Sequence, residues 1–126
     1  MNNVPLSHDS GFVLGGEGAQ LENTCAVCLL QHVQYQQDVT GKDIELHYIK
    51  TKEGKEVDFV LSQKGRATHL IEVKLSDDAP SSSLALLAKK IPEAKAFQLV
   101  QNLRREQQIG NISILNAAKW IGELSA

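Results

Sequence analysis

The order of apolar and polar positions divides the chain into helical and extended stretches. Up to Gly18 there is no regular period: Asn2, Asn3, Pro5, Ser7, Asp9, Ser10 and several glycines surround one short apolar step, Phe12-Val13-Leu14. Residues 1–17 therefore read as an irregular lead-in, and 18–126 as one domain. From Ala19 to about Gln36 the spacing turns helical, with Leu21, Cys25, Cys28, Leu29 and His32 on one face. Gly41 marks a break, and three strand-like runs follow: Ile44–Ile49, Glu56–Leu61 and His69–Leu75. Short glycine-bearing joints, Lys52–Lys55 and Gln63–Arg66, predict hairpins and hence an antiparallel meander.

The acids, proline and hydroxyls of Asp77–Ser83 form a helix-start signal, because their side chains can cap exposed amides. Leu84, Leu87, Ala88 and Ile91 then recur at helical spacing until Pro92 stops the helix. Ala96–Val100 reads as a strand, Gln101–Gln108 as a polar stretch and Ile112–Leu115 as a short strand. Asn116 is placed to cap a last helix that packs through Ala117, Trp120, Ile121 and Leu124. The step from Leu75 to Ala96 is strand–helix–strand, which requires a crossover and makes the sheet mixed. The expected fold class is an α/β layer with helices on at least one face.

Composition narrows the function. At 126 residues, the chain has room for one domain and no ATPase engine of usual size. The cluster Gly15-Gly16-Glu17-Gly18 lacks the G-K-[ST] ending of a phosphate loop, so no ATP site is expected. No apolar run approaches the roughly 18–20 residues of a membrane helix, and no secretory signal is visible, which points to a cytoplasmic protein without a membrane partner. A net charge of −2 argues against a strongly basic nucleic-acid module.

The informative stretch is the pair of strands E-V-D-F-V and I-E-V-K. Alternation puts Val57, Phe59 and Leu61 on one face with Ile71, Val73 and Leu75. Glu56, Asp58 and Val60 lie on the other, beside Leu70, Glu72 and Lys74. A turn centred on Gly65 sets Asp58 across from Glu72, with Cβ atoms about 4.5–5.5 Å apart. Two converging carboxylates need a positive charge between them. Lys74 supplies one, and a divalent ion such as Mg²⁺, held by Asp58, Glu72 and the Val73 carbonyl, supplies more. A meander with one wet face shows the same alternation, with Glu56 and Lys74 as an ordinary cross-strand ion pair.

Asp58 followed by Glu72-Val73-Lys74 on the next strand resembles the D…(D/E)-x-K signature of the PD-(D/E)XK nuclease superfamily. That superfamily's core is helix, three strands, helix, strand, as in restriction endonucleases. A narrower likeness rests on L-E-N-T-C-A-V-C-L-L at 21–30, L-H-Y-I-K-T-K-E-G-K-E-V-D-F-V at 46–60, L-I-E-V-K-L-S-D-D at 70–78, Q-L-V-Q-N-L-R-R-E at 98–106 and Asp9-Ser10-Gly11. Together these are similar to the uncharacterised C-terminal domain of prokaryotic AAA-type ATPases. The resemblance implies a nuclease-like accessory domain that hydrolyses DNA phosphodiesters with Mg²⁺ or Mn²⁺, through Asp58, Glu72 and Lys74. It also implies an AAA-type ATPase module as partner, this chain being a detached or stand-alone copy of the tail. An acid on the first helix joins the metal site in many superfamily members, and Glu22 holds that place, which equally suits a helix-start acid. The superfamily's proline before the aspartate is replaced by Val57. The alternative is a catalytically inactive module that recognises DNA or protein for an ATPase.

Other constellations are weaker. Cys25-x-x-Cys28-x-x-x-His32 lacks a fourth zinc ligand, and the cysteines read as small apolar residues in a helix face. His32, His47 and His69 have no catalytic spacing. Arg104, Arg105, Lys89, Lys90 and Lys95 form either a strip of phosphate contacts or a solvated face.

Overall fold

The fold is that of a computed structural model, which describes residues 17–48, 59–76 and 79–124. Helix α1 spans Glu17–Tyr35 and runs into a π-helical turn, Gln36–Thr40, closed by Gly41 in the left-handed region. Strands β1 (Ile44–Tyr48), β2 (Phe59–Gln63) and β3 (Arg66–Lys74) follow. Helix α2 is Ser82–Lys90, and β4 is Lys95–Val100. A short β5 (Gln107–Ile109), β6 (Ile112–Asn116) and helix α3 (Ala117–Leu124) complete the described elements.

The described strands form one mixed sheet in the order β1-β2-β3-β4-β6-β5. β1, β2 and β3 are the expected antiparallel meander. β3, β4 and β6 are parallel, so the crossover through α2 is present and the fold class is α/β. β5, which overlaps the end of the stretch Gln101–Gln108 expected to be merely polar, pairs antiparallel with β6 and forms the far edge.

The two faces of the sheet carry separate cores. Val60, Leu70, Ala96, Val100, Ile112 and Ile114 pack with Leu84 and Ala88 of α2. Phe59, Leu61, Ile71 and Leu99 pack on the opposite face with Cys25, Ala26, Leu29 and Val33 of α1 and Ala117 of α3. Fully burying one such Leu, Ile or Phe side chain is worth about 1.5–3 kcal/mol. Both faces of the central strands are therefore covered, which is what parallel strands require. Asn116 caps α3 as expected, its Oδ1 accepting from the Lys119 amide at 3.0 Å.

The β2–β3 hairpin is tighter than the expected four-residue joint. The strands extend to Gln63 and from Arg66, leaving Lys64 at φ +52 and Gly65 at φ +78 as the two turn residues. Two successive positive φ values make a turn of the I′ type, whose twist matches that of the strands. A register shift between Leu61 and Ser62 then brings Phe59 opposite Ile71 and Val60 opposite Leu70. No atom stands within 4 Å of a Cβ built on Gly65, so its constraint is purely conformational. Gly65→Ala is therefore expected to lower stability by about 1–2 kcal/mol in urea unfolding. Lys64→Asn, which suits the left-handed region better, should raise it by a few tenths of a kcal/mol.

Candidate functional site

The carboxyl ends of β3 and β4 lie side by side, with Glu72 beside Gln98 and Lys74 beside Val100. The ends are tied further by the Gln101 amide donating to the Lys74 carbonyl (3.0 Å) and the Asn102 amide to that of Leu75 (2.8 Å). In an open α/β sheet this edge of the parallel strands is where ligands usually bind.

Alternation along β3 sends Leu70 and Glu72 to the face covered by α2. The Glu72 side chain is consequently buried, with 6% of the residue exposed. A carboxylate out of water needs donors or cations to remain ionised. Lys74, two residues along the same face, places Nζ 3.6 Å from Glu72 Oε2. From the start of α2, the Ser81 hydroxyl donates to Glu72 Oε1 at 2.6 Å. The same Ser81 oxygen caps α2 by accepting from the Leu84 amide at 3.0 Å.

A second polar side chain, Gln98, is wholly buried beside Glu72. Its Oε1 accepts from the Ser81 amide at 3.0 Å, and its Nε2 donates to the Ala79 carbonyl at 2.8 Å. These two bonds fix the orientation of the amide and hold the turn before α2 against β4. The sequence pattern alone does not mark Ser81 or Gln98 as part of the site. A lone amide in the apolar run A-F-Q-L-V is the signal that points to Gln98.

Of the expected site residues, Glu72 and Lys74 are brought together, and Val73 lies between them in β3. The Val73 side chain packs on the opposite face, against the α1 and α3 core. Asp58 and Glu56 lie outside the described residues. The first described pair of the β2–β3 hairpin is Phe59 opposite Ile71. Glu22 belongs to the α1 layer, where its Oε1 accepts from the Tyr48 hydroxyl at 3.0 Å. Tyr48 packs with Phe59 on that face, so Glu22 and Glu72 occupy opposite sides of the sheet. Among the described residues, no three His, Cys, Asp or Glu side chains gather as a metal cluster. The wet-face reading fails for Glu72, because α2 covers it.

The remaining constellations are dispersed. Cys25 is buried and Cys28 half-buried. Lys89, Lys90 and Lys95 lie at the amino end of β4, whereas Arg104 and Arg105 follow its carboxyl end, so the five exposed cations form two groups. His69 stacks on Phe97, with centroids 5.8 Å apart, and its Nδ1 lies 2.9 Å from Thr68 Oγ1. Burial, and then the nearby Lys95 and His32 charges, hold its imidazole below the ordinary histidine pKa.

The family described as Domain of unknown function (DUF4143) matches residues 17–120, from the start of α1 into α3. No curated protein and no solved structure matches the chain.

Two outcomes follow from this electrostatic arrangement. Gln98→Leu removes the side-chain amide that accepts from the Ser81 N–H and donates to the Ala79 carbonyl. Unfolding in denaturant should show a loss of about 1–3 kcal/mol. The unfolded chain binds a proton at His69 more readily than the folded one, so this group's contribution to stability is complete above about pH 6.5 and declines as pH falls through that value. Melting temperatures between pH 7.5 and 5.5 should therefore fall less steeply in His69→Gln than in the wild type.

Proposed function

We propose, from the premise that this chain belongs to the family described as Domain of unknown function (DUF4143), that it is a nuclease-like accessory domain hydrolysing DNA phosphodiesters with Mg²⁺ or Mn²⁺. The observation that carries the reading is the buried Glu72 carboxylate with the Lys74 ammonium 3.6 Å away, at the carboxyl edge of parallel strands. Acid, one intervening residue and lysine at this point in a meander–helix–strand order is the arrangement expected of the PD-(D/E)XK superfamily. The affiliation with AAA-type ATPases rests on the sequence resemblance and is part of the same proposal.

The donor chemistry suits a hard divalent ion. The Glu72 carboxylate and Val73 carbonyl are oxygen donors from one strand, and Asp58 is the second carboxylate of the proposed set. A bound ion would supply a more acidic water and positive charge opposite the phosphate. Glu72 would hold that ion at a fixed point, because Ser81 orients one of its oxygens. Lys74, only partly exposed, would orient the attacking water or steady a phosphate oxygen. Arg104 and Arg105, beyond the loop tied to the end of β3, are exposed where they could contact the flanking backbone of DNA.

A second reading has its own support. Glu72 is bonded to the cap of α2, so the same carboxylate can serve chiefly to lock helix to sheet. The domain would then be an inactive recognition or regulatory module. A slightly acidic net charge of −2 favours this rival over unaided DNA binding.

Paramagnetic broadening by Mn²⁺ separates the two. The nuclease reading predicts selective loss of resonances around Glu72 and Lys74 at millimolar metal, abolished in Asp58→Ala and Glu72→Gln. Mg²⁺-dependent plasmid nicking should fall at least about 100-fold in Lys74→Met, as expected for loss of a group acting at the phosphate. Broadening elsewhere, or nicking that is equal in wild type and Lys74→Met, would leave the regulatory reading.

A further inference from the structure

We infer that Ser81 is a positioning residue for the Glu72 carboxylate, and that Gln98 holds Ser81 in place for that task. Three observations converge on it. The Ser81 hydroxyl is shared between two duties, donating to Glu72 Oε1 at 2.6 Å and accepting from the Leu84 amide at 3.0 Å. An acceptor role toward the helix leaves the hydroxyl proton available for the carboxylate, so the two bonds are compatible in one rotamer. Helix α2 thus fixes where the Ser81 oxygen lies, and its proton fixes where Glu72 points.

Gln98 makes the arrangement rigid from the other side. It is wholly buried, and it clamps the backbone on both sides of Pro80 by accepting from the Ser81 amide and donating to the Ala79 carbonyl. Capping α2 alone needs no such clamp, since Ser, Thr, Asn, Asp and Gly all cap well in ordinary turns. A buried amide beside a buried acid is better explained by the demand that one hydroxyl meet one carboxylate. Carboxylates that bind metal are commonly fixed by such outer partners, whose loss lowers affinity about 10–100-fold. The consequence for metal rests on the proposed nuclease reading. The positioning of Glu72 does not.

Ser81→Gly tests the inference, because glycine is nearly as good an N-cap as serine but has no hydroxyl. In the wild type, a fixed Glu72 side chain should show two resolved γ-proton resonances. In Ser81→Gly they should merge as the side chain gains rotamers, while the circular dichroism of the helices is unchanged. Mn²⁺ affinity at Glu72 should fall about tenfold, and Ser81→Thr should restore both signals. Resolved γ-protons in Ser81→Gly would overturn the positioning role, whatever the metal does. Merged γ-protons in a protein whose wild type binds no Mn²⁺ near Glu72 would uphold positioning and remove the nuclease reading instead.

Discussion

A carboxylate taken almost wholly out of water governs this part of the molecule. Ionised Glu72 requires compensation within hydrogen-bonding or ion-pairing reach, because burial otherwise favours its neutral form. Among the described residues, Lys74 on its own strand and Ser81 at the N-cap of α2 supply compensation. Since Ser81 also caps α2, the helix and the acid are placed by one hydroxyl. Gln98 extends the dependence to β4, so strand, helix start and neighbouring strand form a single polar network inside an apolar layer.

Topology makes that network possible. The antiparallel meander delivers β3 to the centre of the sheet, and the crossover returns the chain parallel to it in β4. Covering one face with α2 and the other with α1 and α3 leaves the strand ends as the places where polar groups can meet solvent. Glu72 and Lys74 stand at such an end, the first nearly enclosed and the second partly exposed.

Much of the fold was legible because burial imposes its period on the sequence. Leu84, Leu87, Ala88 and Ile91 announced α2, and Asn116 announced the start of α3, since caps and helical stripes are local signals. β5 escaped because Gln107-Gln108-Ile109 has no apolar alternation and owes its conformation to pairing with β6. The two-residue length of the hairpin turn is not legible in the sequence, because Lys64 adopts a left-handed conformation that lysine does not advertise. At the site, alternation placed Glu72 and Lys74 on one face, but whether that face was wet depended on where α2 would lie. Ser81 was legible as a possible cap, not as a partner of Glu72, because the contact spans the whole strand-to-helix turn. Glu22 shows the converse: its position on α1 was readable, but its partner Tyr48 and its place across the sheet were not.

The central claim is that Glu72 and Lys74, with Asp58, form a divalent-cation site for phosphodiester chemistry. Crystals soaked in Mn²⁺ and measured at the manganese absorption edge test it most directly. The account predicts an anomalous peak coordinated by the Glu72 and Asp58 carboxylates, with the Lys74 ammonium beside it and Ser81 still bonded to Glu72. A map with manganese only elsewhere on the surface, and Glu72 still engaged by Ser81 and Lys74, would contradict it.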